Sequence, residues 1–386
     1  MERRNMKKRN CFFTLYKYEI FKIFKNKVAF ATFLIFFVFS FIQGEFEVRG
    51  NLDPEDLPRY QAMDGRVIDD GFISEMLAAT DEMGEPIDPD ELEYDGIRSW
   101  VRDIWGYRTA LTGINESTVY HKREESIAET YEDLKLSEGE IAYWQEREQK
   151  LEKPFKIYDT AVISGVLEGT TNFIIYMIMI VGISLAAIFA IETQRRTDPM
   201  IRSSINGRAE LYFAKILAGM TYSLTALLII VAGFLTYVGL AWGFPGMQAA
   251  VQIYLPLAAE DMTMWQLEGI ILIMLFTFTF MLSAFALFVS NVTRNGLASM
   301  GIVIGACFGI FALSTSVPLK MRILSQTISI LSPSIVSSRI VYDFRLIKLG
   351  RYLTEYQAAP MIYIALGIIL TAAGCIIYLK HEIKSN

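Results

Sequence analysis

Few side chains in this sequence have the type and spacing that catalysis or metal binding requires. The two histidines, His121 and His381, lie far apart, and no H-E-x-x-H motif or Cys/His cluster with zinc spacing occurs. The acidic run Asp88 to Asp95 lacks the spacing and the glycine of a calcium loop, which favours a solvated acidic surface. We therefore predict a non-catalytic chain with no metal of its own.

The sequence also lacks the motif of a common nucleotide-binding site. The sequence has no G-x-x-x-x-G-K-[ST] motif, so no loop of the usual kind is present to hold the phosphates of ATP. No nucleophile paired with a base stands out, which makes a membrane-embedded enzyme the weakest of the functional hypotheses. Any ATP hydrolysis that drives this chain would have to be carried out by another polypeptide.

One polar segment, Glu192 to Glu210, stands out between two long apolar runs. The residues at its ends predict a short helix. Thr197 or Asp198 suits the N-cap, Pro199 suits the first helical position, and Gly207 suits the end of the helix. The apolar residues that would share one face are Met200, Ile201 and Ile205. The arginines that would surround that face are Arg195, Arg196, Arg202 and Arg208. A helix of about two turns is not stable alone, so we predict that a partner protein binds it.

Three ionisable residues, Glu168, Lys215 and Glu268, lie within or near apolar runs. A charge at the centre of a bilayer costs about 2.5 to 3.5 kcal/mol on insertion scales, so such residues are functional candidates. All three lie near the ends of their runs, and the favoured interpretation is that their side chains reach the lipid headgroups. The sequence indicates no proton relay across the midplane, which argues against an ion-coupled transporter.

The apolar runs decide the fold class. The chain has 386 residues and is 53% hydrophobic, above the roughly 45 to 50% of soluble proteins. Six runs of about 20 residues with almost no charge are long enough to cross a bilayer. They are roughly Asn26 to Gly44, Thr171 to Ile191, Leu211 to Ala241, Leu267 to Ser290, Leu297 to Val317, and Pro360 to Leu379. We predict an all-α polytopic membrane protein with six transmembrane helices.

Charge is distributed unevenly along the chain. Residues 1–27 contain nine Lys or Arg and two acidic residues, whereas residues 43–160 contain thirteen and thirty, a local net charge of −17. Basic flanks favour the cytoplasm, so we predict a cell-membrane protein with both termini cytoplasmic. The predicted organisation is a cytoplasmic tail and interface helix at 1–27, a first transmembrane helix at 28–42, a mostly helical extracytoplasmic domain at 43–160, and five further spans at 161–386, with a cytoplasmic loop at 192–210 and an outer loop at 318–359.

The outer loop at 318–359 departs from the charge rule, because it carries six Lys or Arg against only Asp343 and Glu355. The preferred interpretation is that this loop lies against the acidic outer domain, and a miscounted span is the alternative. We single out Arg345 and Lys348 as the basic residues whose charge reversal would loosen that contact. Within the acidic domain, Ser137 and Glu140 predict a capping box at the start of a helix.

Residues 11–27 place Phe13, Tyr16, Ile20 and Phe24 at helical spacing, with lysines elsewhere on the helix. This pattern predicts a basic amphipathic helix in the inner leaflet, and the alternative is an extension of the first span. In the fifth span, Gly301, Gly305 and Gly309 form a doubled G-x-x-x-G ridge, which is typical of a face where helices approach closely. Its packing partner could lie in the same chain or in a second subunit.

Together these features resemble the ABC-2 family of ABC-transporter permeases. The family tends to show a Glu, a basic residue, a Thr, small residues, an Arg and a Lys after the second span. Here these fall on Glu192, Arg195 or Arg196, Thr197, Ser203 with Ser204, Arg208 and Lys215. A second match is Leu331, Ser332 and Pro333 before the last span. Two departures affect the expected shape of the segment: Arg196 replaces a usual Gly, and Asp198 with Pro199 replaces a more aliphatic stretch.

The resemblance implies that two such permeases, identical or paired, join two ABC ATPase subunits that bind ATP and Mg. The residues expected at the ATPase contact are Glu192, Arg195, Arg196, Thr197, Met200, Ile201, Ile205 and Arg208. This chain would bind no cofactor and no nucleic acid, and would export an amphiphilic substrate such as a peptide, drug or lipid-like molecule. The alternative is a mechanotransmitting or sensory protein that acts through its outer domain without passing substrate.

Overall fold

The computed structural model describes residues 2–49, 53–107, 109–194 and 209–380. The chain begins with α1 (Glu2–Lys25), followed almost directly by α2 (Lys27–Arg49). Asn26 separates them, and its side-chain oxygen accepts a hydrogen bond from the backbone N–H of Val28 at 3.0 Å. This bond satisfies a donor at the start of α2, where the chain passes from one helix to the next.

After α2 the chain forms a small helical domain, which we call the distal domain. Its helices are α3 (Leu57–Tyr60), α4 (Asp70–Ala78), α5 (Asp95–Trp105), α6 (Glu116–Asp133) and α7 (Glu138–Glu148). The predicted capping box at Ser137 and Glu140 is confirmed at the start of α7. Buried side chains such as Phe72, Trp100 and Val101 form its core.

The remaining described residues form five more long helices, which pack with α2 into a bundle, and several shorter elements. These elements are α8 (Ala161–Leu185), α9 (Ala190–Gln194), α10 (Ala209–Ala241), α11 (Val251–Tyr254), α12 (Met264–Thr293), α13 (Gly296–Ser316), α14 (Arg322–Leu331), a hairpin of β1 (Ile347–Leu349) and β2 (Arg351–Leu353), and α15 (Glu355–Lys380). Six of the helical stretches are long and apolar enough to cross a membrane, which confirms the predicted fold class.

Several predicted span boundaries differ from those of the helices, and the first spanning helix continues to Arg49 instead of ending near Gly44. The second spanning helix begins at Ala161 rather than near Thr171, because Glu168 lies on an exposed part of its surface and does not interrupt it. The last begins at Glu355, and Pro360 lies inside it. Proline is tolerated inside membrane helices because neighbouring groups satisfy the freed backbone carbonyl. The hairpin of β1 and β2, which turns at Gly350 with φ of +76°, was not predicted.

The centre of the bundle is formed by α8 and α12. Helix α8 packs against α2, α12 and α13, while α12 also packs along α15. Helix α13 has the fewest buried residues of the six spanning helices, namely Ser299, Val303 and Cys307. We call the end of the bundle that carries α1, α9 and the end of α15 the basal end. The distal domain covers the opposite end.

Candidate functional site

The polar segment singled out in the sequence lies mostly outside the described residues. This applies to Arg195, Arg196, Thr197, Met200, Ile201, Ile205 and Arg208. Both of its flanks are described: Glu192 lies in α9, and α10 begins at Ala209. The geometry of the flanks therefore defines how the segment is attached to the bundle.

A buried lysine joins those flanks to the N-terminal helix. Lys215 is only 1% exposed, and its Nζ lies 2.7 Å from Glu192 Oε1 and 3.0 Å from Glu19 Oε2. The expectation that Lys215 reaches the headgroups is wrong, because two carboxylates compensate its charge inside the protein. The ends of the polar segment are thus held together at the basal end, in contact with α1.

A second lysine completes this cluster, which we call the basal ion network: Glu19, Lys22, Glu192 and Lys215. Lys22 Nζ lies 2.6 Å from Glu19 and 3.7 Å from Glu192, and its side chain is 52% exposed. Burial would raise the pKa of Glu19, but Lys215 and Lys22 outweigh that effect and hold its pKa below the ordinary value. Two cations and two anions make the network neutral, with its more exposed cation at the edge.

The predicted interface helix, α1, has one face packed against the protein and another that is exposed. Tyr16 and Ile20 are partly buried on the side that packs against α10, where the Tyr16 hydroxyl donates a hydrogen bond to Thr221 Oγ1 at 3.2 Å. Phe13 is 54% exposed, and Phe24 is half exposed with its ring against Tyr222. Glu19 lies on the same helical face as Tyr16 and Ile20. The helix thus contacts α10 through a specific polar and apolar face in addition to exposing apolar side chains.

An aromatic cluster at the basal end extends the connection to two more spans. The rings of Phe189, Tyr212 and Tyr378 lie with centroids 5.4 to 5.8 Å apart, and they come from the turn between α8 and α9, the start of α10 and the end of α15. The Tyr212 hydroxyl also donates to the carbonyl of Thr371 at 2.8 Å. Lys215 Nζ lies 5.7 Å from the centroid of Phe189, so the ion network and the cluster adjoin. The basal ion network is therefore connected, through the aromatic cluster, to α10, to α15 and to the turn that follows α8.

A lateral cavity of about 320 Å³ lies between α8, α13 and the turn at Pro333–Ile335. Apolar side chains dominate its lining, among them Ile174, Ile178, Phe308 and Phe311. The polar residues of the lining are Thr171, Asn172, Ser334 and Ser337. None of the described residues that line the cavity is ionisable. A space of this composition suits an uncharged, mainly apolar group.

The glycine ridge of α13 has no packing partner within the described part of the chain. A Cβ atom built on Gly301, Gly305 or Gly309 would meet no atom within 4 Å, and all three glycines are exposed. The ridge therefore has no same-chain partner among the described residues, and its packing against a second subunit stays a prediction. The ridge lies on α13 beside the face whose Phe308 and Phe311 line the lateral cavity.

Glu268 is the second intramembrane candidate that does not reach the headgroups. It is buried in α12, and Thr170 Oγ1 of α8 donates a hydrogen bond to its Oε1 at 2.8 Å. This bond joins the two central helices near their distal ends. Glu168, by contrast, is exposed, as the sequence favoured.

On the distal side, Glu140 connects the distal domain to the α13–α15 connector. Its carboxylate accepts hydrogen bonds from the Arg322 guanidinium, from the backbone N–H of Leu346 at 2.9 Å, and from the N–H and hydroxyl of Ser137. Burial would raise the pKa of Glu140, but these donors lower it to about 2. We call Ser137, Glu140, Arg322 and Leu346 the distal clamp.

The basic connector therefore does contact the acidic domain, but not through the residues that the sequence indicated. Arg345 is buried and pairs with Asp343 of its own loop, with Nε 2.8 Å from Oδ1. Lys348 is exposed and lies over the ring of Tyr352. Arg322 makes the contact instead, because the start of α14 brings it beside Glu140.

The distal domain is also attached to the connector between α10 and α12. Arg123 is fully buried, and its guanidinium donates to the carbonyls of Pro256 at 2.6 Å and Ala258 at 2.8 Å while pairing with Glu148. Trp100 Nε1 donates to the carbonyl of Gln252 at 2.9 Å. The stretch around α11, between α10 and α12, is therefore in direct contact with the distal domain.

The sequence model of a family described as ABC-2 family transporter protein matches residues 110–380, more than half of the chain. This chain belongs to the ABC-2 family. The predicted resemblance is confirmed, and the chain is a multi-pass membrane component of an ABC transporter. The ABC-2 match begins inside the distal domain, so α6 and α7 lie within it. Comparison with curated proteins and with solved structures gave no match.

The residues that suggested the ABC-2 family from sequence fall in two of the places described above. Glu192 and Lys215 form part of the basal ion network, and Pro333 lies in the wall of the lateral cavity. The sequence did not identify Glu19, Arg123 or Arg322. An acidic residue on the apolar face of a basic amphipathic helix was the available signal for Glu19, whereas nothing local distinguishes the two arginines.

Proposed function

We propose that this ABC-2 protein is the permease subunit of an exporter, driven by a separate ATPase subunit that binds ATP and Mg. The observation that carries the proposal is the double pairing of Lys215 with Glu192 and Glu19. Because Glu192 and Lys215 flank the polar segment, a force applied to that segment passes directly to α1 and α10. This is the connection that a coupling segment on an ATPase requires.

The basal end is assigned to the cytoplasm of the cell-membrane protein in this proposal. Nine of the first 27 residues are Lys or Arg, and basic flanks are retained on the cytoplasmic side. With six spans, both termini and the polar segment then face the compartment that holds ATP. The exposed apolar side chains of α1, such as Phe13 and Phe21, would contact the inner leaflet.

The lateral cavity is the proposed part of the substrate path. Its apolar lining without ionisable groups suits the apolar part of an amphiphilic peptide, drug or lipid-like molecule. The unpartnered ridge of Gly301, Gly305 and Gly309 supplies a surface for a second permease, identical or paired, in the bilayer. Since ridge and cavity are neighbours on α13, that subunit would cover the open side of the cavity.

The test of ATPase coupling uses the apolar face predicted in the polar segment. Ile201→Asp with Ile205→Asp should abolish copurification of the cognate ATPase, because two charges would enter the apolar contact. Membrane insertion of the variant should be unchanged. The matched control, Ser203→Asp with Asn206→Asp, adds the same charges away from that face and should retain the ATPase. Equal capture by both double variants would contradict the proposed contact.

A second candidate function is mechanical transmission to the distal domain without passage of substrate. The distal clamp and the buried Arg123 favour it, because they join that domain to both long connectors between spans. Motion of α12, α13 or α15 would then move the distal domain as well. The two functions differ in whether anything crosses the membrane.

Reconstitution of the complete transporter in liposomes separates the two functions. An exporter should move a labelled amphiphile across the bilayer in an ATP-dependent way, and Phe308→Trp in the lateral cavity should reduce that transport. A transmitter should give ATP-dependent changes in distance between spin labels on the distal domain and α15, with no transport for any amphiphile tested. ATP-dependent transport would reject the transmitter.

A further inference from the structure

A groove of about 640 Å³ lies at the distal ends of α2 and α10, away from the lateral cavity. It is lined by Phe41, Ile42, Glu45, Phe46, Arg49 and Tyr237. Within this lining, Phe41 packs edge-on against Tyr237, with ring centroids 5.9 Å apart. Phe46, on its wall, is 73% exposed. The groove is thus an apolar trough with charged residues at one end.

The charged end has a fixed arrangement. Arg49 Nη1 donates a hydrogen bond to Glu45 Oε1 at 2.7 Å, and the Tyr237 hydroxyl donates to Glu45 Oε2. Glu45 is therefore held from two helices and in turn orients Arg49. The Arg49 side chain is 63% exposed, and within the described residues it uses one of its five N–H donors on Glu45. A pre-oriented guanidinium with available donors suits a phosphate group.

The height of the groove relative to the membrane points to a lipid. Helix α2 has 23 residues, and at about 1.5 Å per residue it is roughly 34 Å long. The hydrocarbon core of a bilayer is about 30 Å thick, so Arg49 lies at headgroup level when Lys27 lies at the opposite one. Phe41, Ile42 and Phe46 then lie beside the acyl chains.

We propose that this groove binds one phospholipid whose headgroup contains both a phosphodiester and an ammonium group. Arg49 binds the phosphate, Glu45 accepts a hydrogen bond from the ammonium, and an acyl chain lies along Phe41, Ile42 and Phe46. Glu45 has unused acceptor positions for this, because a carboxylate offers about four and the structure fills two. The proposal does not depend on the substrate path or on the ATPase.

Native mass spectrometry of the full-length protein in detergent tests the proposal. The protein is given equal amounts of phosphatidylethanolamine and phosphatidylglycerol with identical acyl chains. The wild type should retain one phosphatidylethanolamine per chain, about tenfold over phosphatidylglycerol, because only the former supplies a charge-assisted bond to Glu45. Equal retention of both lipids would overturn the proposal.

Three variants assign the effect to the groove. Arg49→Gln should reduce lipid retention about tenfold, Arg49→Lys should keep part of it, and Glu45→Gln should remove the preference between the two headgroups. Lys348→Gln, an exposed basic residue of the hairpin, is the matched control and should bind like the wild type. Retention by Arg49→Gln equal to that control would overturn the proposal. So would efficient disulfide formation between two copies carrying Phe46→Cys, since a protein partner would then occupy the groove.

Discussion

The basal ion network and the distal clamp both bury a carboxylate beside a cation, but they are built differently. In the basal network, the ammonium of Lys215 contacts two carboxylates from different helices, and Lys22 also lies within 4 Å of both of them. In the distal clamp, one carboxylate receives donors from a guanidinium, a hydroxyl and two backbone N–H groups. The first arrangement has interchangeable partners, whereas the second has nearly all its positions filled.

This difference indicates what each contact is suited to do. A lysine ammonium is a compact charge on a flexible stem and needs no fixed direction, so the basal network can shift its pairing without losing charge balance. Backbone donors fix the clamp in one geometry. We therefore expect the basal end to change conformation during a transport cycle and the distal clamp to move as a rigid connection.

The largest expected effect comes from removing the shared cation. Lys215→Met would leave Glu19 and Glu192 buried with only the more exposed Lys22, and breaking a buried pair in this way costs roughly 3 to 5 kcal/mol. Thermal unfolding of the purified protein should show this loss. Lys22→Met is the control, since a largely exposed lysine contributes about 1 kcal/mol or less. Equal destabilisation by the two variants would mean that the lysines are equivalent.

Loss of the clamp arginine should have a smaller and more local effect. Arg322→Met removes one charge-assisted hydrogen bond, worth roughly 1.5 to 3 kcal/mol, but leaves Glu140 bonded to Leu346 and Ser137. Limited proteolysis should cut the distal domain faster in this variant, while the basal end keeps its wild-type protection. Faster cleavage at the basal end as well would show that the clamp is not a local connection.

Acid should loosen the clamp. The pKa of Glu140 is lowered from about 4.5 to about 2 in the folded protein, so its stabilisation is complete above pH 4.5 and is lost as pH falls towards 2. By pH 3.5 the loss should be on the order of 1 kcal/mol. Hydrogen exchange of the Leu346 N–H, corrected for its intrinsic pH dependence, is the measurement. Glu140→Gln should abolish this pH dependence, and an unchanged profile would show that another group titrates.

The smallest effect is expected at the hairpin. Lys348→Glu should change the free energy of unfolding by no more than about 0.5 kcal/mol, because the side chain is exposed and its described contact is with the Tyr352 ring. Proteolysis of the distal domain should also match the wild type. A marked loosening would restore the original expectation that general charge attraction holds the connector to the domain.

The sequence predicted those features that depend on composition over a window of residues. The six spans, the helical distal domain and the capping box at Ser137 and Glu140 all follow from hydropathy, periodicity or local spacing. Helix ends were less accurate because one exposed charge, Glu168, or one proline, Pro360, looks like a boundary when its surroundings are unknown.

The polar contacts could not be predicted because their partners lie far apart in the chain. Glu19 and Lys215 are separated by 196 positions, and Glu140 and Arg322 by 182. Hydropathy indicated that Lys215 was costly to bury, but it did not indicate that Glu19 and Glu192 would compensate the charge. The excess of basic residues in the outer loop correctly indicated contact between that loop and the acidic domain. It indicated the wrong arginine, because Arg345 pairs with Asp343 of its own loop.

Helix α10 has 33 residues, about 50 Å at 1.5 Å per residue, and exceeds the roughly 30 Å core of a bilayer. It is fixed to the N-terminal helices at two levels, through Lys215 with Glu19 and through Tyr237 with Glu45. These two residues are 22 positions apart, about 33 Å along the helix. These bonds connect α10 to α1 at one end and to α2 at the other, so a change in bilayer thickness that tilts α10 should tilt α2 with it. Because Lys215 pairs with Glu19 and Glu192, tilting of α10 would also move the basal ion network.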